Sequence, residues 1–246
     1  MLITSIQNEQ VKNWRKLHTK KYRNQMQSFL IEGFHLIEEA YINDWHIETI
    51  IVQEAIEIPN AWTDVHVVSV SKEVFASISQ TQTPQGVAAV VKMKMIEKRS
   101  SGPVLLLDSL QDPGNVGTVI RTADAVGASA IYVSKGTVDL YNDKVIRATQ
   151  GSIFHIRVEQ GDIKEMITSL KHDGYTIWAS ALQEAVALPH VQFTQKNALI
   201  VGNEGSGIQD EILALANESV KIPIYGQAES LNVSVATGIL LYAMVK

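Results

Sequence analysis

The sequence contains no cysteine among its 246 residues. Disulfide bonds, thiolate zinc sites and cysteine nucleophiles are therefore excluded. Charged residues are also sparse, at 19% of the chain against 46% hydrophobic residues, which is the composition of a folded protein with a sizeable core. The seven histidines follow no spacing typical of a metal site, so we expect no bound metal.

Long hydrophobic runs are missing as well. Residues 1–23 hold no apolar stretch of the kind that a secretory signal needs. The most apolar segment, residues 231–245, is shorter than the roughly 18 residues of a membrane span, and it contains Asn232, Ser234 and Thr237. We therefore expect a soluble, cytoplasmic protein that does not act in a membrane.

Positive charge is concentrated at one end of an acidic chain. The net charge is −5, yet residues 1–30 hold six Lys and Arg side chains against the single acid Glu9. A local basic patch attracts nucleic-acid phosphates even on an acidic protein. A solvated helix face explains the same residues, and on charge alone it is the simpler explanation.

Helix-like and strand-like patterns alternate along the chain, which predicts a layered α/β architecture. The polar segment EKRSSGP, residues 97–103, is typical of a linker. We predict an α/β domain in residues 1–96 and a second in residues 104–246. The continuous apolar run VLLLD at residues 104–108 is typical of a buried parallel strand, so the second domain is expected to hold a parallel sheet.

Some local patterns make testable predictions about single elements. The spacing of apolar residues predicts one helix over residues 8–20 and another from about 116 to 126. Asn115 is well placed to cap the second of these helices. Residues 154–158 are strand-like.

Three polar loops follow apolar strands in the second half of the chain. They are SLQDPGNVG after Asp108, GNEGSG after Val201 and YGQAESLN after Pro223. Because ligands bind beyond the carboxyl ends of strands in an open α/β sheet, these loops predict one shared pocket. They match neither G-x-G-x-x-G nor the P-loop, so a nucleotide site of those kinds is unsupported.

The polar residues of the first two loops also have plain structural explanations. Asn115 fits a helix cap, and Arg121 is spaced for an ion pair with Asp124. Glu204 fits an acidic residue in the first turn of a helix. Without further information these explanations are preferred.

The third loop leads into a helix with no charged residue until Lys246. A helix that is apolar all round must be buried on every side, which is easiest if it also packs against another subunit. Ser230 fits the N-cap of this helix and Asn232 a polar residue of its first turn. Asn232 and Ser234 would need hydrogen-bond partners there, and a bound polar ligand would supply some.

Together the three loops resemble motifs 1, 2 and 3 of the SpoU (TrmH) family of RNA ribose 2′-O-methyltransferases. The matching segments, in the family's order, are LDSLQDPGNVGTVIRTADAVGA, LIVGNEGSGI and IPIYGQAESLNVSVATGILLY. The resemblance covers residues 104–246. In the first domain, FLIEGFHLIEEA and TPQGVAAVV are similar to the ribosomal-protein-like α/β domain with which some members bind their substrate.

The resemblance implies a fold, a cofactor and a partner. The fold is an α/β domain with a parallel sheet and a C-terminal trefoil knot (SPOUT), preceded by the small ribosomal-protein-like α/β domain. Members are homodimers through the knotted region and bind S-adenosyl-L-methionine in a bent form. The residues implied to contact the cofactor are Leu199, Val201, Gly202, Ile222, Pro223, Leu231 and Ala236.

The resemblance also reverses the preference for structural explanations in the loops. It implies a catalytic set of Arg121, Asn115, Glu204 and Asn232, with Ser230 beside them. In the family the arginine is proposed to assist deprotonation of the ribose 2′-hydroxyl. Orienting the 2′-oxygen and its phosphate is a safer role, because guanidinium is very hard to deprotonate. For Ser230 the cap and the site role stay equally open.

The expected substrate is structured RNA, of 23S ribosomal type. The alternatives are a tRNA methyltransferase of the same family, a resistance-conferring rRNA methyltransferase, and a non-catalytic RNA-binding or ribosome-assembly protein. Residues expected to contact RNA are Arg15, Lys16, Lys20, Lys21 and Arg23. Trp14, Tyr22 and Phe29 lie among them and are suited either to stack on bases or to pack in a core, with packing favoured for Trp14.

Overall fold

The computed structural model describes residues 2–62, 64–97, 99 and 101–245. Along the chain the first elements are β1 (Leu2–Ile3), α1 (Glu9–Lys16), α2 (Lys20–Met26), β2 (Ser28–Glu32), α3 (Phe34–Ile42), β3 (Ile47–Gln53), β4 (Val67–Val70), α4 (Lys72–Ile78) and β5 (Val87–Lys92). They continue with β6 (Val104–Asp108), α5 (Pro113–Ala125), β7 (Ala130–Ser134), α6 (Asp143–Thr149), β8 (Val158–Gly161), α7 (Ile163–His172), β9 (Thr176–Ser180), β10 (Val186–Ala187), β11 (Asn197–Gly202), α8 (Asp210–Leu213), β12 (Glu218–Lys221) and α9 (Val233–Met244).

The chain divides into two compact units. The first contains the residues up to Lys94 together with Asp139–Phe154, and the second contains Met95–Val138 and the residues from His155 onward. The segment Asp139–Phe154, which includes α6, thus packs with the N-terminal unit although it lies inside the predicted second domain. Two residues of the predicted linker, Lys98 and Ser100, lie outside the described residues.

The first unit is built on a mixed sheet with the strand order β1-β4-β3-β5-β2. Strands β1, β4 and β3 run parallel, while β5 is antiparallel to both β3 and β2. On one face α1 and α4 pack against it through a core that includes Val11, Trp14 and Phe75. Ser71 caps α4 by accepting a hydrogen bond from the backbone N–H of Val74.

The single helix predicted over residues 8–20 is wrong, because the chain turns after Leu17 and starts α2. The backbone N–H groups of Leu17, His18 and Thr19 each bond to the carbonyl three residues earlier, which tightens and ends α1. The Leu17 carbonyl accepts a hydrogen bond from the guanidinium of Arg23 at 2.6 Å. A side chain therefore bonds to the carbonyl that would accept a backbone N–H if α1 continued for another turn.

The strand predicted over residues 154–158 is also wrong. Ser152–Phe154 forms a short 3₁₀ helix, and β8 begins only at Val158. The ring of Phe154 lies 6.4 Å from that of Phe29, and its carbonyl accepts a hydrogen bond from the Trp45 indole. These contacts hold Phe154 in the first unit, where it cannot continue β8.

The second unit is built on a sheet in which all strand pairs are parallel, as predicted. The strand order is β10-β12-β9-β11-β6-β7-β8. Its central strands β6 and β11 are paired in a register that places Gly202 opposite Asp108, so their carboxyl ends meet at one edge. The loops that follow both strands therefore begin side by side.

The final helix, α9, packs against α5 and β11 through buried residues that include Leu240 and Leu241. The opposite face of α9 stays exposed, where Val235, Ile239 and Tyr242 keep 51%, 39% and 53% of their full accessibility. Burial on every side is thus not reached within one chain. Among the described residues, no helix is long and apolar enough to cross a membrane.

Candidate active site

The loop after β6 delivers Asn115 into the first turn of α5. The N-cap of this helix is Asp112, whose carboxylate accepts a hydrogen bond from the Asn115 backbone N–H at 2.7 Å. The structural explanation of Asn115 as the cap, which the resemblance had already displaced, is therefore excluded. Pro113 stands at the first helical position, where a missing N–H costs nothing, so α5 begins two residues before Asn115. The amide of Asn115 is consequently available for contacts outside its own helix.

Side chains from the three loops are joined by hydrogen bonds. The Asn115 Nδ2 donates to Oε1 of Glu204 at 3.1 Å, and the Asn232 Nδ2 donates to Oδ1 of Asn115 at 3.0 Å. In the sequence, Glu204 is 89 positions and Asn232 is 117 positions away from Asn115. Three of the residues implied as catalytic thus form one continuous polar chain.

Glu204 is held as a carboxylate at one end of this chain, where it accepts a hydrogen bond from Asn115. Partial burial raises the pKa of Glu204, but hydrogen bonds from its own N–H, the Asn115 amide and the backbone N–H groups of Gln111 and Asp112 outweigh burial, so its pKa is lower than usual. A carboxylate with a lowered pKa is a weak base. Its geometry suits holding Asn115 and the loop after β6 in place.

Asn232 serves two functions at the start of α9. Its Oδ1 accepts hydrogen bonds from the backbone N–H groups of Ser234 and Val235, which makes Asn232 the N-cap, while its Nδ2 reaches Asn115. Of the two roles left open for Ser230, the cap is thus excluded. Ser230 is exposed, and within the described part of the chain its side chain has no hydrogen-bond partner, but it lines the cavity described next.

A cavity of about 410 Å³ lies beside this chain of side chains in the second unit. Five of the residues implied to contact the cofactor line it: Val201, Gly202, Ile222, Leu231 and Ala236. Leu199 does not, because it is fully buried within β11, where it is in register with Leu105 and Trp178. Pro223 is not among the lining residues, although Ile222 and Ile224 on either side of it are.

Gly202 is required where β11 leads into the cavity. A Cβ atom there would overlap the backbone of Gly207 and Ile208, so no larger residue fits without moving the loop.

The cavity volume of about 410 Å³ falls within the roughly 300–1,000 Å³ of small-molecule sites. Apolar walls from Val201, Ile222 and Leu231 beside exposed loop backbone suit a ligand with both apolar and polar parts. The residues present therefore fit S-adenosylmethionine.

Arg121 lies on the exposed side of α5, six residues after Asn115 and thus about 9 Å along the helix axis. It makes no hydrogen bond or ion pair with any described residue. The ion pair with Asp124 is not found, because Asp124 bonds instead to Arg99 at 2.7 Å and to His155 at 2.8 Å. The guanidinium is therefore exposed to ligands from outside the chain.

Several cavity residues were missed from the sequence. They lie on β9, β12 and the segments after them: Ser180, Ala181, Leu182, Lys221 and Ile224. Strand β9 ends at Ser180 and pairs with both β11 and β12. The rule that ligands bind at the carboxyl ends of strands would have included this neighbouring strand.

The basic residues of the first unit separate into two kinds. Arg15, Lys16, Lys20 and Lys21 are exposed on α1 and α2. Arg23 is 5% exposed and forms an ion pair with Asp139, so its inclusion among RNA-contacting residues is wrong. Its charge is neutralised inside the unit.

Two of the three aromatic residues among these basic side chains pack in the core. Trp14 and Phe29 are buried in the core of the first unit. Tyr22 is partly exposed, and the ammonium groups of Lys16 and Lys21 each lie 5.8 Å from its ring centroid. Only Tyr22, of these three, offers a ring at the surface.

No group of three or more potential metal ligands occurs among the described residues.

Comparison with known proteins places the two halves of the chain in two sequence families. Residues 102–242 match the SpoU rRNA Methylase family, and residues 8–89 match the MRM3-like substrate binding domain. The chain is 42% identical over 241 residues to a Bacillus subtilis protein, 23S rRNA (guanosine(2553)-2′-O)-methyltransferase RlmP, with 98% of this chain and 97% of that one covered.

Solved structures show the same likeness. The AdoMet-bound rRNA methyltransferase of Sinorhizobium meliloti matches with a TM-score of 0.89 at 30% identity, over 99% of this chain and 97% of that one. The SpoU methyltransferase AviRb of Streptomyces viridochromogenes, in complex with AdoMet, matches with a TM-score of 0.87 at 25% identity, over 97% of both chains. The family match spans more than half of the sequence and includes all three loops around the cavity, and the chain therefore belongs to the SpoU family of RNA methyltransferases.

Proposed function

We propose that this SpoU family member transfers a methyl group from S-adenosylmethionine to a ribose 2′-hydroxyl of 23S-type ribosomal RNA. The observation that carries the proposal is the hydrogen-bonded chain of Asn115, Glu204 and Asn232 beside the 410 Å³ cavity. The activity of the B. subtilis relative, a 23S rRNA 2′-O-methyltransferase, supports ribosomal RNA as the substrate. The match to a substrate-binding domain in residues 8–89 supports it as well.

S-adenosylmethionine supplies an electrophilic methyl group when bound, so the protein must mainly align the sugar. The ribose 2′-hydroxyl is a poor nucleophile, and it reacts only when held in line with the bond that breaks. Arg121 orients the 2′-oxygen and the neighbouring phosphate through the paired donors of its guanidinium. Its exposure on α5, without a partner among the described residues, leaves those donors available.

The amides of Asn115 and Asn232 fix the shape of the site where the sugar enters. Glu204 holds Asn115 and the loop after β6, and does not act as the base, because its lowered pKa makes it a poor proton acceptor. Val201, Gly202, Ile222, Leu231 and Ala236 hold the cofactor. Ser230 lines the same cavity and is positioned to contact substrate or cofactor.

The exposed basic residues of the first unit capture the RNA. Arg15, Lys16, Lys20 and Lys21 present four positive charges on two successive helices, which suits phosphate contacts. Such contacts position an RNA without reading its sequence.

A homodimer is part of the proposal. A second copy covers the apolar face of α9, where Val235, Ile239 and Tyr242 are exposed in the single chain. We extend the proposal to the trefoil knot typical of the family, formed by the loops around the cavity and the helix that follows them. As an rRNA-modifying enzyme, the protein acts in the cytoplasm.

Methyl transfer to defined RNAs tests the proposal directly. Purified protein is incubated with S-adenosylmethionine carrying a radioactive methyl group and with 23S rRNA, 16S rRNA or tRNA, and ribose methylation is mapped on each. We expect a single modified ribose in 23S rRNA. Label in tRNA alone would transfer the proposal to the tRNA branch of the family. A non-catalytic ribosome-assembly protein would bind RNA and incorporate no label.

A further inference from the structure

Asn203, the residue before Glu204, uses both ends of its side-chain amide within the protein. Its Oδ1 accepts hydrogen bonds from the backbone N–H groups of Gly205 at 2.9 Å and Ser206 at 3.1 Å. Its Nδ2 donates to the backbone carbonyl of Ser109 at 2.9 Å. One side chain thus shapes the loop after β11 and ties that loop to the one after β6.

The backbone of Asn203 closes the same loop. Its N–H and carbonyl bond to the carbonyl and N–H of Gly207, both at 2.9 Å. Glu204 is the first residue inside this closed turn. The position of the Glu204 carboxylate therefore follows the position of Asn203.

The residue to which Asn203 is tied is itself firmly held. Ser109 has a φ of +61°, a left-handed conformation that costs energy for a residue other than glycine and persists only where the surroundings enforce it. Its N–H bonds to Ser134 Oγ at 2.9 Å, and its hydroxyl bonds to the fully buried carboxylate of Asp108 at 3.0 Å. Asp108 also binds the backbone N–H of Gln209, beyond the loop, at 2.9 Å.

Glu204 needs such an anchor because its side chain is exposed. Its bonds to Asn115 and to the backbone of Gln111 and Asp112, at 3.1–3.2 Å, compete with water. A polar group contributes to catalysis when its position is fixed in advance by a supporting set of contacts. Asn203 precedes Glu204 in the chain, and its bond to Ser109 supplies a supporting contact of this kind.

We propose that Asn203 is a positioning residue for methyl transfer: by tying the loop after β11 to Ser109, it sets the contact between Glu204 and Asn115. The inference rests on the proposed function, because it assigns a role within that reaction. The assigned role concerns the Nδ2 donor, which crosses between loops. The Oδ1 acceptor acts only within one loop.

Three variants separate the two ends of the Asn203 amide. Asn203→Ala removes both, whereas Asn203→Asp keeps the Oδ1 acceptor for Gly205 and Ser206 and removes the donor to Ser109. We expect kcat to fall on the order of tenfold in both variants, as for a misplaced supporting contact. The matched control is Ser206→Ala, which removes one 3.3 Å hydroxyl bond to the same Oδ1 and should change kcat less than about twofold.

A double-mutant cycle tests whether Asn203 acts through Glu204. In a Glu204→Gln background, the further change Asn203→Ala should cost much less than in the wild type, because neighbours that share one task are not additive. In the single variant Asn203→Ala, the acid limb of the pH–rate profile should move to higher pH, since a displaced Glu204 loses the bonds that lower its pKa. Simple destabilisation lowers the melting temperature and leaves that limb in place.

The outcomes are distinct. Wild-type kcat in Asn203→Asp, or losses that add fully in the Glu204→Gln background, would overturn the inference. If Asn203→Ala fails to fold, the Asn203→Asp comparison and its own cycle with Glu204→Gln decide the matter. A wild-type protein that transfers no methyl group to any RNA would instead overturn the proposed function, so the two failures are not confused.

Discussion

The polar side chains around the cavity of the second unit and the basic side chains on the first unit are organised in opposite ways. Asn115, Glu204 and Asn232 are joined to one another by hydrogen bonds of 3.0–3.1 Å. Lys20 and Lys21 instead project from a short helix into solvent. The first arrangement fixes geometry, and the second supplies charge.

This difference indicates how much each region should tolerate substitution. A site that aligns a weak nucleophile loses activity when one group moves by a fraction of an ångström. A phosphate-binding surface loses affinity in roughly equal increments for each charge removed, and it depends on salt. The contrast is sharpest at two arginines. Arg121 is an exposed charge on the helix that also carries Asn115, whereas Arg23 is a buried charge among exposed basic residues.

Replacement of Arg121 by alanine is expected to have the largest effect. The change removes the donors assigned to the 2′-oxygen and phosphate, and we expect kcat to fall by about 10³-fold or more, a loss of roughly 4 kcal/mol of transition-state stabilisation. Affinity for S-adenosylmethionine, measured by calorimetry, should stay within about twofold, because Arg121 is not among the residues that line the cavity.

A matched arginine provides the control for this prediction. Arg157 lies in the same unit, pairs with Glu159 at 2.6 Å and does not line the cavity. Arg157→Ala should therefore keep near-normal turnover. Near-normal turnover in Arg121→Ala would remove Arg121 from the catalytic set.

Arg23 should behave as a structural residue, in contrast with the basic residues around it. Arg23→Ala leaves the carboxylate of Asp139 without its ion-pair partner, and breaking a buried pair from one side costs about 3–5 kcal/mol. We expect the free energy of unfolding to fall by about 3 kcal/mol in denaturant titrations. The double change Arg23→Ala with Asp139→Ala should recover part of this loss.

Arg15 tests the same contrast from the exposed side. Arg15→Ala should change the free energy of unfolding by less than about 0.5 kcal/mol, since exposed substitutions away from special contacts are nearly neutral. RNA affinity should fall in Arg15→Ala. An equal loss of stability in the two alanine variants would show that the distinction between them is wrong.

The basic pattern in the sequence did not reveal which of its members is buried. Arg23 lies only two positions from Lys21, and its partner Asp139 is 116 positions away. Local spacing carries no information about such a contact. The same limit explains the wrong strand at residues 154–158, where the tertiary partners of Phe154 override a strand-like pattern.

Removal of three charges from the basic surface should have a smaller, salt-dependent effect. The change of Lys16, Lys20 and Lys21 to glutamine is expected to weaken RNA binding on the order of tenfold at moderate salt. The slope of log K against log salt should become shallower by about 2 to 3, since each phosphate contact contributes 0.7–0.9. Filter binding at several salt concentrations measures both values. Unchanged affinity and slope would exclude this surface.

The position of the active site was more predictable from the sequence than the roles of its residues. Apolar strands followed by polar loops predicted a shared edge, and the register of Gly202 opposite Asp108 confirms that β6 and β11 end together. The sequence did not distinguish caps from cross-loop contacts. Asp112 caps α5 and Asn232 caps α9, and this leaves the Asn115 amide and the Nδ2 of Asn232 for each other.

The smallest predicted effect concerns the pH dependence that Glu204 contributes to stability. The pKa of Glu204 is below its usual value of 4.5 in the folded protein, because hydrogen bonds to its carboxylate outweigh the effect of burial. Ionised Glu204 therefore stabilises the fold fully above the unfolded-state pKa, and this contribution is lost as the pH falls through the lower folded-state value. Since the side chain is exposed and screened by water, the contribution should be less than about 1 kcal/mol.

Glu204→Gln isolates this contribution because glutamine does not titrate. The stability difference between wild type and Glu204→Gln should be constant from pH 7 to about pH 5 and should shrink as the pH falls further, which melting temperatures between pH 7 and pH 3 would measure. Glu73→Gln, in the first turn of α4 and outside the cavity, is the matched control for loss of an acidic residue. A difference that stays constant down to pH 3 would mean that the bonds to Asn115, Gln111 and Asp112 do not favour the charged form. The contacts of Glu204 would then hold the loops whether or not its carboxylate is ionised. The contrast between a pre-ordered site and a charged surface would then depend on the result for Arg121→Ala.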